Sequence, residues 1–349
     1  MKLLQKNYHI LLILCLVSIT IIYFITHKTN NKQTSKNHSV PIEASRELTV
    51  QEYAVARNEY VNLLNNQNPR VALDKLREDT KTNSSLLRSC HALTHELGHE
   101  AYEKYKDFGE ALKYQDEICN SGYLHGIIEA HFSESNDIFA TLQSVCNKYA
   151  VESFIGWECY HGVGHGLMYY TSNDLPKSIS LCETYRNDFA ASSCVNGVFM
   201  ENFNSDQKLH TSRFLKASNP FYPCEEQKDS HKADCYFYAP TYYLTLNKND
   251  YIGALKWCKT AEQKFQSTCA NGIGSEAIKE NINNPKLVEE VCMNADRNQV
   301  SSCISGMVGL YINHFGSMQP ARELCNILKK SNQSLCKQIV ESRAQLFQI

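Results

Sequence analysis

Histidine is the residue type whose distribution in this sequence points most directly to chemistry. Seven of the thirteen histidines fall between His91 and His165, a window of 75 residues. The strings HELGH (95–99) and HGVGH (161–165) share the form His-x-x-Gly-His, and His125 between them also follows a glycine by three residues. The corresponding segments further along the chain lack these histidines. This uneven distribution indicates a function rather than a requirement of the fold.

Histidines four residues apart share one face of a helix, so each motif can hold a metal ion. The predicted metal ligands are His95, His99, His125, His161 and His165. Imidazole and carboxylate donors suit zinc, copper or iron and do not choose among them. The predicted catalytic carboxylates are Glu96 and Glu129, and His91 is predicted to donate a hydrogen bond to a ligand. The alternative is that these histidines are core or interface residues with structural hydrogen bonds.

The string HELGH also matches the His-Glu-x-x-His signature of zinc peptidases, in which the glutamate is the general base. The resemblance extends over five residues only. The second motif has Gly162 in the place of Glu96, and no recognisable third-ligand segment follows downstream. The sequence therefore favours another kind of metal site over a metallopeptidase.

Cysteines mark an internal repeat. Fourteen of the fifteen cysteines follow the apolar N-terminal run. Twelve of them form pairs with separations of 11 to 13 residues: Cys146 with Cys159, Cys182 with Cys194, Cys224 with Cys235, Cys258 with Cys269, Cys292 with Cys303, and Cys325 with Cys336. Successive first cysteines are 33 to 42 residues apart, which defines a repeat of about 34 residues.

Each repeat has the pattern of two short helices. Segments such as NDYIGALKWC (249–258) begin with a capping Asn or Asp and space their apolar residues by three and four. The second cysteine then opens a run of apolar and small residues such as CANGIGSEAI (269–278). Helical hairpins of this period resemble the tetratricopeptide and Sel1-like repeat proteins from about residue 68 to the C terminus. The resemblance implies an all-α solenoid of about seven hairpins and no particular function.

The paired cysteines are predicted to form disulfides. On one continuous helix, residues 11 apart would be about 16 Å from each other, which is too far for a disulfide, so the chain must turn between them. Zinc held by thiolates is the alternative, but such sites use close Cys-x-x-Cys pairs, and this sequence has none. The remaining Cys90 and Cys119 are predicted to pair with each other and to join consecutive repeats.

The N-terminal region and the cysteines together predict the compartment. Residues 10–26 form an uncharged apolar run long enough to approach a membrane span, and no small-x-small cleavage site follows. We expect a signal-anchor transmembrane helix at 1–27, a polar linker at 28–47 and a helical-repeat ectodomain at 48–349; a cleaved signal peptide is the alternative. Histidine-rich repeats lie at about 84–170 and cysteine-pair repeats at about 136–349. Fourteen cysteines place the repeats on an oxidising, extracytoplasmic side, be it periplasmic, luminal or extracellular.

Two functions are compatible with these features. One is a metal-dependent hydrolase, oxidase or oxygenase with its site in the first three repeats. The other is a non-catalytic scaffold whose concave face binds a protein or peptide. A net charge of −2 offers no basic surface for nucleic acid. Helices pack about 8–10 Å apart, so a flat array would separate the two His-x-x-Gly-His motifs by about 18 Å, and either the repeats curve into one site or there are two.

Overall fold

The polypeptide follows the hairpin pattern that the cysteines predict. The structure, a computed structural model, describes residues 48–204 and 212–347. These residues form sixteen α-helices and no β-strand. The helices are α1 (Val50–Asn66), α2 (Pro69–Thr80), α3 (Ser84–Tyr105), α4 (Phe108–Leu112), α5 (Ile118–Ser133), α6 (Ile138–Val145), α7 (Phe154–Tyr170), α8 (Leu175–Cys182), α9 (Asp188–Asn204), α10 (Asp229–Leu246), α11 (Tyr251–Trp257), α12 (Gln266–Glu280), α13 (Pro285–Cys292), α14 (Val300–Phe315), α15 (Met318–Ile327) and α16 (Lys330–Phe347).

Within the described residues, seven helical hairpins and one irregular unit follow α1, against about seven hairpins predicted. Each hairpin consists of a short outer helix and a longer inner helix. The inner helices are α3, α5, α7, α9, α12, α14 and α16, and each packs on the inner helices beside it. In the irregular unit, the 3-10 turn Cys224–Glu226 replaces the outer helix before the inner helix α10.

Local sequence explains where the helices begin. Asp250 is the N-cap of α11 and accepts a hydrogen bond from the backbone N–H of Gly253. The preceding Asn249 has a φ of 60°, a left-handed conformation that asparagine tolerates, and it turns the chain out of α10. Of the two residues that the sequence offers as the cap, Asp250 takes this role. The inner helices begin earlier than predicted, since α12 starts at Gln266, three residues before Cys269.

All seven predicted disulfides are present, and their Cα atoms are 5.3 to 5.8 Å apart, within the range that a disulfide requires. The bridges join Cys90 to Cys119, Cys146 to Cys159, Cys182 to Cys194, Cys224 to Cys235, Cys258 to Cys269, Cys292 to Cys303, and Cys325 to Cys336. The first ties α3 to the start of α5, and the other six tie an outer helix or turn to the inner helix of the same unit.

The second cysteine of each of these six pairs lies inside its inner helix and does not open the helix as the sequence predicts. The inner helices α7, α9, α10, α12, α14 and α16 each start three to six residues earlier. These second cysteines are Cys159, Cys194, Cys235, Cys269, Cys303 and Cys336, and each is fully buried. The pairing predicted from the spacing is therefore confirmed, and only the helix boundaries were wrong. Seven disulfides indicate an oxidising, extracytoplasmic environment.

The row of inner helices curves back on itself. The inner helix of the second hairpin, α5, also contacts α14, and Arg88 on α3 forms an ion pair with Glu280 on α12. Gly316, at the end of α14, lies against the Glu117 side chain at the start of α5. The inner helices therefore surround a central cavity of about 430 Å³.

The predicted membrane span at residues 10–26 lies outside the described residues. Within 48–204 and 212–347, no helix combines the length and the apolar character needed to cross a membrane.

Candidate metal centre

Three neighbouring inner helices bring five histidines into one cluster. Its members are His91 and His95 from α3, His125 from α5, and His161 and His165 from α7. The ring centroids of His95 and His165 are 5.8 Å apart, and the His125 ring stacks on His165 at 4.8 Å. Curvature therefore brings the two motifs much closer than a flat array would. A Cβ atom at Gly162 would lie 2.6 Å from the His125 ring, so the missing side chain makes room for this imidazole.

The His91–His95 pair shows the strongest signature of a cation site. Nδ1 of His91 lies 2.7 Å from the carbonyl oxygen of Cys119, which can only accept, so this nitrogen carries the hydrogen. Nδ1 of His95 lies 3.0 and 3.2 Å from the two carboxylate oxygens of Glu129 and donates to them. In the neutral imidazoles both Nε2 atoms are therefore lone-pair donors, and they face each other at 3.1 Å. Such a contact needs a proton or a metal ion between the two nitrogens.

The pair has the spacing of two ligands on one ion. Two nitrogens on a tetrahedral zinc ion are about 3.3 Å apart for bonds of about 2.0–2.1 Å. His125 supplies a third nitrogen, and ligand atoms of His91, His95 and His125 all lie within 4.8 Å of one another. His125 is 1% exposed, and neither of its ring nitrogens has a hydrogen-bond partner among the described residues. Buried imidazole nitrogens without a partner are costly, and a coordinated ion would satisfy one of them.

A second pair, on α7, has the same contact between Nε2 atoms. Nε2 of His161 and Nε2 of His165 are also 3.1 Å apart, and Nδ1 of His165 donates to the Glu201 carboxylate at 2.8 Å. The sulfur of Met200 lies 3.2 Å from Nε2 of His161. This half of the cluster therefore places a soft thioether beside two imidazoles, a donor combination that suits copper.

Three imidazoles of the cluster are kept in the neutral form, and one is not. Burial, followed by the charges of neighbouring histidines, holds the pKa values of His91 and His125 well below the usual range. Burial and the charge of His165 do the same to the pKa of His161. Burial opposes the charge of His95, but Glu129 raises its pKa above the usual value. Metal ions bind neutral imidazoles, so His91, His125 and His161 already have the binding form, whereas His95 would release a proton on binding an ion.

Two of the predicted site residues, His99 and Glu96, contact carboxylate or guanidinium groups and do not belong to the three-histidine group. Nε2 of His99 hydrogen-bonds Glu129 at 2.7 Å, so His99 shares this carboxylate with His95 and lies outside the three-histidine group. Glu96 forms an ion pair with Arg57 at 2.8 Å, on the side of α3 that faces α1. The histidine that pairs with His95 is therefore His91 and not the predicted His99.

Sequence reasoning missed Glu201, Met200 and the buried Glu158, whose carboxylate lies 3.6 Å from Nε2 of His125. The spacing from glycine in the sequence could have identified Glu201 and Met200. Glu129 follows Gly126 by three residues, and Met200 and Glu201 follow Gly197 by three and four. Gly126 and Gly197 both contact the carbonyl of a cluster histidine on the preceding inner helix, so the residues one turn later reach the imidazoles.

The histidine cluster opens on the central cavity. His91, His125 and His161 line it together with Trp157, whose ring stacks on His161 at 5.0 Å. The volume of about 430 Å³ lies in the range of small-molecule sites. A small molecule in the cavity would therefore reach the histidines.

Comparison with protein families finds no match, and neither curated proteins nor solved structures include a chain that matches this one. The likeness to tetratricopeptide and Sel1-like proteins thus remains one of period and hairpin form.

Proposed function

We propose that this chain is an extracytoplasmic metal protein in which His91, His95 and His125 bind a transition-metal ion at the wall of the central cavity. The observation that carries the proposal is the 3.1 Å contact between two Nε2 atoms whose Nδ1 atoms are both engaged as donors. Outer hydrogen bonds of this kind orient imidazoles toward metals. An apolar run at residues 10–26 would anchor the protein in the membrane.

Three protein nitrogens leave coordination positions for water or substrate, as in catalytic zinc sites. The geometry therefore favours metal-assisted chemistry on a small molecule held in the cavity. Zinc would activate a bound water for hydrolysis. Here the protein keeps the imidazoles of His91 and His125 neutral, orients His91 and His95 through the Cys119 carbonyl and Glu129, and surrounds the reaction with the inner helices.

Oxidation is the second candidate reaction, and Met200 favours it. Its thioether beside His161 and His165 is a ligand for copper rather than for zinc. Copper bound by the α7 pair would make the cluster a redox centre beside the ion held by His91, His95 and His125. A metal titration that saturates at two equivalents would support this arrangement.

Metal binding by the purified full-length protein tests the proposal. After removal of metals by a chelator, it is titrated with Zn(II), Cu(II) and Fe(II), and bound metal is measured by elemental analysis. We expect at least one equivalent to bind. His95→Gln should weaken binding by more than about 100-fold, because loss of an outer partner alone costs about 10- to 100-fold.

His131→Gln is the matched control, since His131 contacts Tyr102 and Phe108 outside the cluster. With Cu(II), nitrogen hyperfine splitting in the electron paramagnetic resonance spectrum should change in His95→Gln and stay the same in the control. Substoichiometric metal that both variants retain equally would overturn the proposal. It would instead favour structural histidines and a scaffold whose concave face binds a protein or peptide.

A further inference from the structure

The central cavity has a second chemically distinct region away from the histidines. Beyond the cluster, its wall comes from the inner helices α9, α10, α12, α14 and α16. This part of the wall carries mostly amide, hydroxyl and charged groups, among them Asn271, Ser302, Asn313, Lys279 and Arg343. It is therefore suited to a polar or charged portion of a ligand.

Arg343, on the last helix, is the unusual member of this wall. Its guanidinium lies against the backbone of α14, because a Cβ at Gly309 would be 3.0 Å from Nη2. Burial lowers its pKa, yet an arginine side chain keeps its proton in proteins. In the part of the chain that the structure describes, no carboxylate forms an ion pair with Arg343. The guanidinium is only partly exposed at the cavity wall, and a bound oxyanion would pair with its charge.

Two of the three carboxylates that line the cavity accept hydrogen bonds from groups other than Arg343, and the third lies on α7 beside the histidines. Glu276 accepts a hydrogen bond from Thr241 at 3.0 Å and lies 3.7 Å from the ammonium group of Lys279. Asp234 accepts one from Asn196 at 2.7 Å, and Glu158 lies beside His125. The guanidinium of Arg343 therefore faces the cavity with its hydrogen-bond donors available.

We infer that the cavity binds a small organic anion, whose carboxylate or phosphate pairs with Arg343 while the rest of the molecule extends toward the histidine cluster. A planar guanidinium binds either oxyanion through two parallel hydrogen bonds. The inference rests on the proposed function in that the far end of this anion would be the group on which the metal acts. Its anionic end needs no metal.

Calorimetry with two probes tests the inference on metal-free and on zinc-loaded full-length protein. Succinate represents carboxylates and glycerol 3-phosphate represents phosphates, with succinamide and glycerol as neutral counterparts. We expect one of the two anions to bind with one-to-one stoichiometry, and its identity decides between the two oxyanions. Arg343→Gln should weaken that binding by about 10- to 100-fold, the effect of losing a charge-assisted pair.

Two further variants distinguish loss of the anion site from misfolding. Arg343→Lys keeps the charge but loses the fork and should bind with intermediate affinity. Gly309→Ala adds a methyl group only against the mobile end of Arg343, so it should fold normally and bind the anion more weakly. Arg322→Gln, at a surface pair with Glu341, is the control and should bind as the unmodified protein does.

Failure of both anions to bind, or equal binding by Arg343→Gln, would overturn the inference. Metal titration of the same samples separates the two proposals. Anion binding without metal binding would overturn the proposed metal function alone, and metal binding without anion binding would overturn this inference alone.

Discussion

At the scale of single residues, the orientation of the imidazoles depends on groups that do not face the cavity. Glu129 is 7% exposed and accepts hydrogen bonds from both His95 and His99. Burial raises the pKa of this carboxyl, but the charges and hydrogen bonds of the two histidines outweigh burial and lower the pKa below its usual value. Glu129 is therefore an anion that holds Nε2 of His95 toward the cluster.

Replacing Glu129 tests this role. Glu129→Gln keeps the size of the side chain but removes its charge, and we expect metal affinity to fall by about 10- to 100-fold. Isothermal titration with Zn(II) measures the change. Glu96→Gln, which disturbs only the surface pair with Arg57, should leave the affinity within about twofold if ligand orientation is what matters. Equal effects of both variants would contradict the role of Glu129 and would revive the peptidase-like interpretation of HELGH.

The raised pKa of Asp234 leads to a prediction about how stability depends on pH. Burial raises the pKa of Asp234 from 3.8 to about 6, against an opposing hydrogen bond from Asn196. The pKa of Asp234 is higher in the folded state than in the unfolded state. Its contribution to the free energy of unfolding is therefore present below about pH 4 and is lost as pH rises through about 6. Asp234→Asn keeps an acceptor for Asn196 and stays neutral, so between pH 4 and pH 8 it should gain up to about 2–3 kcal/mol relative to the unmodified protein.

Urea unfolding at pH 4, 6 and 8 measures this difference. Asp229→Asn serves as a comparison of opposite sign, because a hydrogen bond and the charge of Lys264 lower the pKa of Asp229. That variant should lose stability relative to the unmodified protein as pH rises. A constant difference between Asp234→Asn and the unmodified protein would show that Asp234 does not titrate in this range.

At the scale of helices, glycines determine how closely the inner helices approach. A Cβ at Gly98 would overlap the carbonyl oxygen of Tyr123, and one at Gly126 would overlap the carbonyl oxygen of His95. The same contact recurs between α7 and α9, where a Cβ at Gly197 would overlap the carbonyl of His161. Close backbone contact of this kind allows the imidazoles of neighbouring helices to meet.

Gly126→Ala should separate α3 from α5. We expect a loss of about 1–3 kcal/mol in unfolding free energy, the usual cost of overpacking, together with weaker metal binding. Chemical denaturation and metal titration of the same variant measure both effects. Gly109→Ala is the control, because its new Cβ would meet only the side chain of Asp107 at 3.2 Å. If Gly126→Ala bound metal normally, helix spacing would not control the site.

Helix geometry also explains why the sequence predicted His99 where the structure has His91. These two residues and His95 form one stripe with a spacing of four, so either neighbour can pair with His95. The crossing point of α5 decides between them. With Gly126 against the carbonyl of His95, the Cys119 carbonyl reaches His91 and Glu129 reaches His99. Crossing points depend on packing between helices and are not written in the spacing of one helix.

At the scale of the whole molecule, the central cavity depends on contacts between early and late inner helices of the repeat array. The Arg88–Glu280 ion pair links α3 to α12, and its side chains are only 14% and 10% exposed. Burial raises the pKa of Glu280, partly offset by the charge of Arg88. Removing one member would therefore leave the other poorly compensated.

Arg88→Ala should cost about 3–5 kcal/mol, the usual penalty for breaking a buried pair, and should open the ring. Unfolding experiments measure the first effect, and an increase in the radius of gyration in small-angle X-ray scattering measures the second. Arg322→Ala breaks a surface pair with Glu341 and should cost less than about 1 kcal/mol without a change in size. An unchanged radius for Arg88→Ala would show that the contact between α5 and α14 closes the ring by itself.

The sequence alone determined the repeat, the helical hairpins, all seven disulfides and the face of α3 and α7 that carries histidine. These properties depend on the local periods of helices and on cysteines close along the chain, which pattern and spacing reveal. Tertiary structure decided that the repeats close into a ring, that five histidines form one cluster, that Glu201 reaches His165, and that Arg343 lines the cavity. Such contacts join residues from separate helices, and they follow from curvature that accumulates over many packed interfaces.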